Sequence, residues 1–177
     1  MKICTKTVMD TTDPYIQFDK QGISNHWYSA QKAIKEMPVN QENSSKLLAN
    51  TLTKIKESGK EKPFDCITGI SGGVDSTYVA YLAKQYGLRP LVVHFDNGWN
   101  SELAVKNIEN IVNHLGFELY TLVVDWVEFR ELQKAYLKAS VIDIEVPTDH
   151  AITGTLFRLA AKHNIRYILS GNNVVTE

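Results

Sequence analysis

The chain has 177 residues, of which 44% are hydrophobic and 22% are charged. This composition is typical of a folded domain and excludes collagen-like, coiled-coil and intrinsically disordered chains. Its 19 basic and 20 acidic side chains give a formal net charge of -1, so it lacks the positive charge that drives non-specific nucleic-acid binding. No apolar run is long enough to cross a membrane, and the N-terminus lacks an apolar signal segment. We therefore expect a cytoplasmic protein without a membrane or nucleic-acid partner.

The N-terminal part of the sequence differs from the rest. Residues 1–43 lack a sustained apolar period and contain turn-forming pairs such as Asp13-Pro14. We predict a small irregular segment there and a main domain over residues 44–177. The main domain opens with an amphipathic helix, indicated by apolar residues at helical spacing, Leu48, Leu52 and Ile55.

From residue 64 onward, short apolar strands alternate with helices of about ten to fifteen residues. The predicted strands cover residues 65–70, 90–95, 118–124 and 166–170, and the helices cover 76–86, 101–115, 127–140 and a segment capped by Thr148. This alternation predicts an α/β fold, a Rossmann-like parallel sheet with helices on both faces. Ligands of such sheets bind at the carboxyl ends of the strands, here residues 71–76, 96–100, 125–126 and 171–173.

One of these strand ends carries a glycine loop, Ser71–Ser76, with the sequence S-G-G-V-D-S. The adjacent Gly72 and Gly73 allow the backbone to turn so that successive N–H groups point into one concavity at the positive end of a helix dipole. The two serines add hydroxyl donors, and Asp75 is a candidate to orient a water, a loop amide or a Mg²⁺ ion. A lone Gly-Gly pair often only starts a helix, but the full string at a strand-to-helix junction predicts a phosphate site.

The glycine loop resembles the PP-loop of the ATP pyrophosphatase superfamily, whose members split ATP between the α and β phosphates. It lacks the Gly-Lys-Ser/Thr ending of a Walker A loop and the spacing of a dinucleotide fingerprint. The resemblance implies an adenylation reaction that uses ATP and Mg²⁺. It implies pyrophosphate binding by Ser71, Gly72, Gly73, Asp75 and Ser76, with Asp75 and Ser76 as catalytic residues and Asp75 as a candidate magnesium ligand.

Longer strings, F-D-N-G-W-N-S at residues 95–101 and P-T-D-H-A-I at residues 147–152, resemble the N-acetyl sugar amidotransferase family of lipopolysaccharide and surface-glycan biosynthesis. The resemblance extends over nearly the whole chain. It implies an AMP-forming enzyme that adenylates the acetamido group of a nucleotide-linked N-acetyl sugar, after which ammonia displaces AMP and leaves an acetamidino sugar. It also implies a separate glutamine amidotransferase that supplies the ammonia.

The same resemblance suggests further contacts at the strand ends. The segment His94, Phe95 and Asp96 is expected to meet adenine and ribose through backbone groups, and Gly171 is expected to line the same cleft. Weaker candidates for substrate contacts are Trp99, Asn100, Glu102, Asp149 and His150. Each has an alternative interpretation: the tryptophan as a packing residue, the aspartate as an acid that stabilises a helix dipole, and the histidine as a surface residue.

The resemblance also implies a zinc site that this chain has lost. Relatives carry two C-x-x-C pairs near the N-terminus, and the corresponding residues here are Cys4, Thr7, Ser24 and Trp27. One thiol, two hydroxyls and an indole do not make a tetrahedral zinc site, so we predict a degenerate zinc ribbon without the metal. The second cysteine of the chain, Cys66, lies in a predicted strand and is expected to be a buried apolar residue.

Two alternatives to the sugar amidotransferase stay open. One is another PP-loop adenylating enzyme, either in tRNA thiolation or as an amide synthetase, although thiolation lacks the support of a cysteine pair near the loop. The other is an idle nucleotide-binding paralogue, because the resemblance stops at residues 171–177 while relatives continue, which predicts a chain truncated relative to that family. A sheet with one uncovered edge and face predicts a homo-oligomer or a partner-dependent protein.

Overall fold

The structure, a computed structural model, describes residues 1–36 and 43–172. It divides into two compact units, one over Met1–Ala49 and one that begins at Asn50. The predicted ligand segment at 171–173 and the predicted main domain both extend past residue 172, outside the described residues. Among the helices of the described ranges, none combines the length and apolar character needed to cross a membrane.

The first unit contains short antiparallel bridges and one helix. Ile3 pairs with Asp10, and Phe18 pairs with Ser24. Helix α1, Asn25–Glu36, follows directly. The prediction of an irregular N-terminal segment missed this helix, although Trp27, Ala30 and Ile34 recur in it at helical spacing.

The second unit is built on a parallel sheet. Its described strands are β1 (Cys66–Gly69), β2 (Pro90–Asp96), β3 (Glu118–Val123) and β4 (Ile168–Leu169), in the order β3-β2-β1-β4. The helices after α1 are α2 (Ser44–Ser58), α3 (Val74–Gln85), α4 (Glu102–Leu115), α5 (Trp126–Ala139) and α6 (Val146–Lys162). Every strand pair is parallel, which confirms the predicted α/β class.

Apolar clusters cover both faces of the sheet. On one face Leu91 and Val93 of β2 pack with Leu159 of α6. On the other face Val92, between them in sequence, packs with Ile108 of α4. Because successive side chains of a strand point to opposite faces, this alternation places helices on both sides of the sheet, as predicted. Cys66 is fully buried in a third cluster with α3, which confirms its expected place in the core.

Helix α6 begins before the predicted cap. Its first residue is Val146, and the preceding Glu145 makes no side-chain cap hydrogen bond. Pro147 lies in the first turn, where a missing N–H costs little and a fixed φ favours the helix. The prediction that Thr148 caps the helix was therefore wrong, since Thr148 lies inside its first turn.

Arg89 joins two segments at the amino ends of the strands. Its Nη1 and Nη2 donate to the carbonyl oxygens of Lys62 and Gly59, at 2.8 and 2.6 Å. Its Nε lies 3.6 Å from Oδ2 of Asp65, a residue that is only 2% exposed. A buried carboxylate therefore depends on this guanidinium for its counter-charge.

We expect Arg89→Ala to lower the free energy of unfolding by about 3 kcal/mol, because it leaves the Asp65 carboxylate buried without its cation. Urea denaturation measures the change. Arg89→Lys should recover part of the loss through its charge, and Arg166→Ala, at an exposed position, should change stability by less than about 0.5 kcal/mol. A loss below about 1 kcal/mol for Arg89→Ala would show that the carboxylate is not held by this pair.

Candidate active site

A cleft of about 830 Å³ lies at the carboxyl ends of β1, β2 and β4, the edge at which parallel sheets bind ligands. The glycine loop, the end of β2, one face of α6 and the segment after β4 form its walls. Its volume is within the usual range for a small-molecule site. The candidate residues that line it are Ser71, Asp75, Ser76, His94, Phe95, Asn100, Asp149 and Gly171.

Six other candidate residues do not line the cleft in the described part of the chain: Gly72, Gly73, Asp96, Trp99, Glu102 and His150. Trp99 packs edge-on against Trp126 and donates its indole N–H to Gln133 Oε1 at 2.9 Å, although it is 66% exposed. His150 is exposed, and its Nδ1 lies 2.9 Å from the Val146 carbonyl oxygen. Trp99 is thus a residue that packs against another side chain, and His150 is a residue at the helix surface.

Hydrogen bonds of side-chain hydroxyl groups stabilise the glycine loop. Ser76 Oγ accepts the N–H of Ser71 at 3.2 Å and donates to the Gly73 carbonyl oxygen at 3.3 Å. Thr77 Oγ1 donates to the same carbonyl at 2.6 Å. By contrast, the carboxylate of Asp75 forms no hydrogen bond or ion pair with another described residue and is exposed at the cleft. The serines therefore shape the loop, while Asp75 is available to a ligand.

Two glycines allow close backbone approaches around the loop. Gly72 has φ +78°, and a Cβ added there would lie 2.6 Å from the carbonyl oxygen of Ala104 in α4. A Cβ on Gly171 would lie 3.2 Å from the carbonyl carbon of Asp75. Any other residue at Gly72 would be strained and would collide with fixed backbone, so the loop depends on this glycine.

His94 links the end of β1 to the loop after β2 through its side chain. The residue is 7% exposed, and its Nδ1 lies 3.1 Å from the carbonyl oxygen of Ile70. Because a carbonyl only accepts, Nδ1 donates to Ile70, and the other ring nitrogen, Nε2, lies 3.4 Å from Asn100 Nδ2. Asn100 also donates to Asp96 Oδ1 at 3.0 Å. The expected backbone role of His94 is thus accompanied by a side chain that positions the loop.

The start of α3 is the part of the cleft whose charge suits a phosphate ligand. Of the side chains that line it in the described ranges, none is Lys or Arg, and two are carboxylates, Asp75 and Asp149. Helix α3 begins at Val74, and its N-cap, Gly73, makes no side-chain cap hydrogen bond. The first N–H groups of α3 and its dipole therefore offer the positive end for a phosphate, and a divalent cation is needed to balance a triphosphate.

Several lining residues were not named as candidates from the sequence. The largest group is one face of α6, where Thr148, Ile152, Thr155 and Leu156 line the cleft. Their spacing places them on one helix face. The threonines on that otherwise apolar face were the available signal that it borders a ligand site.

In the first unit, the buried thiol of Cys4 accepts two backbone hydrogen bonds. Its Sγ accepts the N–H of Ser24 at 3.2 Å and the N–H of Lys6 at 3.4 Å. Burial raises the pKa of this thiol, but hydrogen bonds from the Ser24 and Thr7 side chains and from these backbone groups outweigh it and lower the pKa to about 6. Trp27 is half-buried beside Tyr28. The absence of zinc stays a prediction, which elemental analysis of the purified protein tests.

We expect the two thiols to titrate far apart. Cys4 should ionise with a midpoint near pH 6, whereas burial and the neighbouring Asp65 carboxylate raise the pKa of Cys66. Thiolate absorbance at 240 nm should therefore show one step, which Cys4→Ser removes and Cys66→Ser leaves in place. Because folding lowers the pKa of Cys4, its contribution to stability is present above pH 9 and is lost as the pH falls towards 6. A single step near pH 9 would contradict this.

The sequence around this cleft matches a known protein family. The sequence model of the family described as "Queuosine biosynthesis protein QueC" matches residues 65–157, a little over half of the chain. A tRNA(Ile)-lysidine synthase of Chlamydia pneumoniae is 38% identical over 63 residues, which make up 33% of this chain and 20% of that protein. The chain thus spans about a fifth of the length of this curated relative.

Two solved structures share the fold. The NH3-dependent NAD synthetase from Campylobacter jejuni subsp. jejuni NCTC 11168 has a TM-score of 0.51 at 17% identity, covering 70% of this chain and 54% of that one. The glutamine-dependent NAD+ synthetase from Acinetobacter baumannii has a TM-score of 0.56 at 17% identity, covering 89% and 30%. At such identities the likeness concerns the fold alone. Because the family model matches more than half of the sequence, the chain belongs to the queuosine biosynthesis protein QueC family of PP-loop ATP pyrophosphatases.

Proposed function

We propose that the chain is an AMP-forming, ATP-dependent N-acetyl sugar amidotransferase. The observation that carries the proposal is the glycine loop, which borders an 830 Å³ cleft with a free carboxylate at Asp75. The choice of substrate is supported by the two strings that resemble the sugar amidotransferases, residues 95–101 and 147–152. Both strings contribute lining residues to this same cleft, Phe95 and Asn100 from one and Asp149 from the other.

The proposed reaction has two steps. First, the acetamido oxygen attacks the α phosphorus of ATP, pyrophosphate leaves, and the amide nitrogen loses its proton, which gives an O-adenylyl imidate. Ammonia then adds to the imidate carbon, and AMP leaves with the former amide oxygen. The glycine loop holds the leaving pyrophosphate through N–H groups at the start of α3, so charge that develops on the leaving group meets fixed donors.

The residues present fit an ATP–magnesium complex. The cleft provides a helix N-terminus for phosphate and an unpaired carboxylate, Asp75, for a hard cation that prefers oxygen ligands. When bound, Mg²⁺ supplies the positive charge that the lining side chains do not. ATP binding is accordingly expected to require Mg²⁺, and titration with EDTA present is the control.

The ammonia source and the oligomeric state belong to the same proposal. We expect a separate glutamine amidotransferase to deliver ammonia, since neither Cys4 nor Cys66 is among the residues that line the cleft, and Cys66 is fully buried in the sheet. Self-association is supported by exposed apolar side chains around the end of α5, namely Leu137, Val141, Ile142 and Ile144. Sedimentation at micromolar concentration tests it, and a strict monomer would count against it.

The family assignment favours a second candidate, adenylation of a nucleobase or RNA substrate by the same loop. The queuosine protein family model matches residues 65–157, which include the glycine loop, and a 63-residue stretch of the chain is 38% identical to a tRNA(Ile)-lysidine synthase. The two candidates share the ATP step and differ in the acceptor. The near-neutral net charge of -1 favours a small-molecule acceptor over RNA.

The experiment that separates the candidates is an acceptor screen. The chain is incubated with ATP, Mg²⁺ and ammonia, and AMP is measured with UDP-N-acetylglucosamine, with UDP-glucose and with bulk tRNA. The proposal predicts AMP and pyrophosphate with the acetamido sugar alone, because UDP-glucose has no amide oxygen. AMP formed only with tRNA would move the assignment to the second candidate.

A further inference from the structure

Trp99 is a large aromatic side chain that stays open to solvent although it is held in place. It is 66% exposed. Its indole N–H donates to Gln133 Oε1 at 2.9 Å, and its ring meets Trp126 edge to face at a centroid distance of 5.6 Å. Both partners belong to α5, one at its first residue and the other two turns further on. The indole is thus fixed in one position while most of its surface is free to contact a ligand.

The backbone of the loop that carries Trp99 is fixed as well. The N–H of Trp99 donates to Asn97 Oδ1 at 3.1 Å, and the N–H of Gly98 donates to Asp96 Oδ1 at 3.0 Å. A Cβ on Gly98, which has φ +80°, would lie 2.9 Å from Cε3 of Trp126, so the second indole packs directly against the loop. Because the loop and the side chain are ordered before a ligand arrives, binding there costs little conformational entropy.

Trp99 and Trp126, here called the aromatic platform, lie beside the cleft on the side of β3. The strand order is β3-β2-β1-β4, and the cleft lies at the ends of β1, β2 and β4. Trp99 follows β2 and Trp126 follows β3, and neither is among the residues that line the cleft in the described chain. Asn97 and Asn100, on either side of Trp99 in the sequence, do line it. A ligand on the aromatic platform can therefore extend into the cleft, while the platform itself is distinct from the residues assigned to ATP.

The chemistry of the aromatic platform favours a planar ring. The indole N–H is the only polar group of the Trp99 side chain, and it is already bonded to Gln133, so the ring offers its π face. Every nucleobase has a π face that stacks on such a ring. One exposed indole is far smaller than the roughly 800 Å² that each partner buries in a stable protein interface. The nucleotide-linked sugar of the proposed function carries one such base.

We propose that the aromatic platform binds the nucleobase of the sugar nucleotide by stacking on Trp99. This inference rests on the proposed function and assigns a site to the part of the substrate that does not react. The base lies on the β3 side, and the sugar extends towards the glycine loop, where its acetamido group is adenylated. Asn97 offers a donor between the two, because its Oδ1 accepts the N–H of Trp99 while its Nδ2 forms no hydrogen bond with another described residue.

The test measures how removal of the indole changes the affinity of the full chain for nucleotide ligands. UDP-N-acetylglucosamine and UDP-glucose are titrated calorimetrically with Mg²⁺ and α,β-methylene-ATP present, and Mg–ATP and a ten-nucleotide oligouridylate are titrated separately. Trp99→Ala is expected to weaken both UDP-sugars about 5- to 100-fold, the contribution of one stacked base, and to leave Mg–ATP within about twofold. Phe157→Ala, the control, removes an aromatic side chain of similar exposure, 64%, outside the cleft lining, and should change none of these affinities.

A second variant separates stacking from support of the loop. Trp99→Phe keeps an aromatic ring but loses the N–H that bonds to Gln133, so its affinity for the UDP-sugars should stay within about threefold of the wild type. Fluorescence gives a direct signal, since the chain has three tryptophans and a stacked uracil quenches the one it contacts. UDP-N-acetylglucosamine should quench the wild type and Trp126→Phe, and it should leave the emission of Trp99→Phe unchanged.

Three results would overturn the inference. The first is equal affinity of the wild type and Trp99→Ala for the UDP-sugars, or a wild type that binds neither of them. The second is a loss of Mg–ATP affinity in Trp99→Ala, which would assign the indole to ATP. The third is a loss of oligouridylate binding in place of the UDP-sugars, which would assign it to RNA. Failure of the proposed function would appear separately, as UDP-sugar binding that depends on Trp99 without formation of AMP.

Discussion

Replacement of Gly72 by alanine is expected to weaken ATP binding by more than about 100-fold. At φ +78° an alanine is strained by about 1–3 kcal/mol, and its Cβ would lie 2.6 Å from the backbone oxygen of Ala104. The glycine loop must then shift away from α4, and a displacement of about 1 Å at a binding centre can cost two orders of magnitude. Titration of the variant with Mg–ATP measures the effect.

Two other glycines serve as controls for this substitution. Gly73 has φ -81°, and a Cβ there would meet only the side-chain oxygen of Ser71 at 3.3 Å, so Gly73→Ala should be milder than Gly72→Ala. A Cβ on Gly154 meets nothing within 4 Å, and Gly154→Ala should keep ATP binding and gain about 0.5–1 kcal/mol of stability in its helix. A folded Gly72→Ala protein with wild-type ATP affinity would contradict the role of the glycine loop in ATP binding.

The second large effect is expected at Asp75. Its carboxylate lines the cleft without a partner among the described residues, so Asp75→Asn should leave the loop intact. We expect AMP formation to fall by about 100- to 1000-fold, because the substitution removes the charge placed to hold a cation beside the phosphates. The gain in ATP affinity on addition of Mg²⁺ should also disappear, and this readout does not depend on turnover.

Glu128→Gln is the matched control for Asp75→Asn. Glu128 is also an exposed acid in the first turn of a helix, α5, but it is outside the cleft lining. It should therefore change neither AMP formation nor the magnesium dependence. Equal losses in both variants would mean that a general charge effect, and not a group at the phosphates, is responsible.

Strands and helices with strong apolar patterns could be predicted from the sequence. The run that forms β2 is buried through its first five residues, and such a continuous apolar run identifies a central parallel strand. β4 was expected over residues 166–170, and the structure has it only at Ile168–Leu169, which pair with Ile67 and Thr68 of β1. Helix α1 was missed although Trp27, Ala30 and Ile34 lie at helical spacing, and none of its residues is buried.

The part of the candidate site that lies in one contiguous segment could be predicted from the sequence. The glycine loop is defined by a contiguous string and by its position between a strand and a helix. The role of the His94 side chain was not predictable, because its partner Ile70 is remote in sequence and meets it only once the sheet has formed. The same holds for Trp99, whose partner Gln133 lies 34 positions further along the chain.

The most direct test of the account is to follow the amide oxygen during turnover. UDP-N-acetylglucosamine labelled with oxygen-18 in the acetamido group is incubated with the chain, ATP, Mg²⁺ and ammonia, and the nucleotide products are analysed by mass spectrometry. Attack of the amide oxygen on the α phosphorus predicts AMP that carries one heavy oxygen, together with unlabelled pyrophosphate. Formation of ADP and phosphate, or AMP without the label, would contradict the proposed adenylation of an acetamido sugar at this cleft.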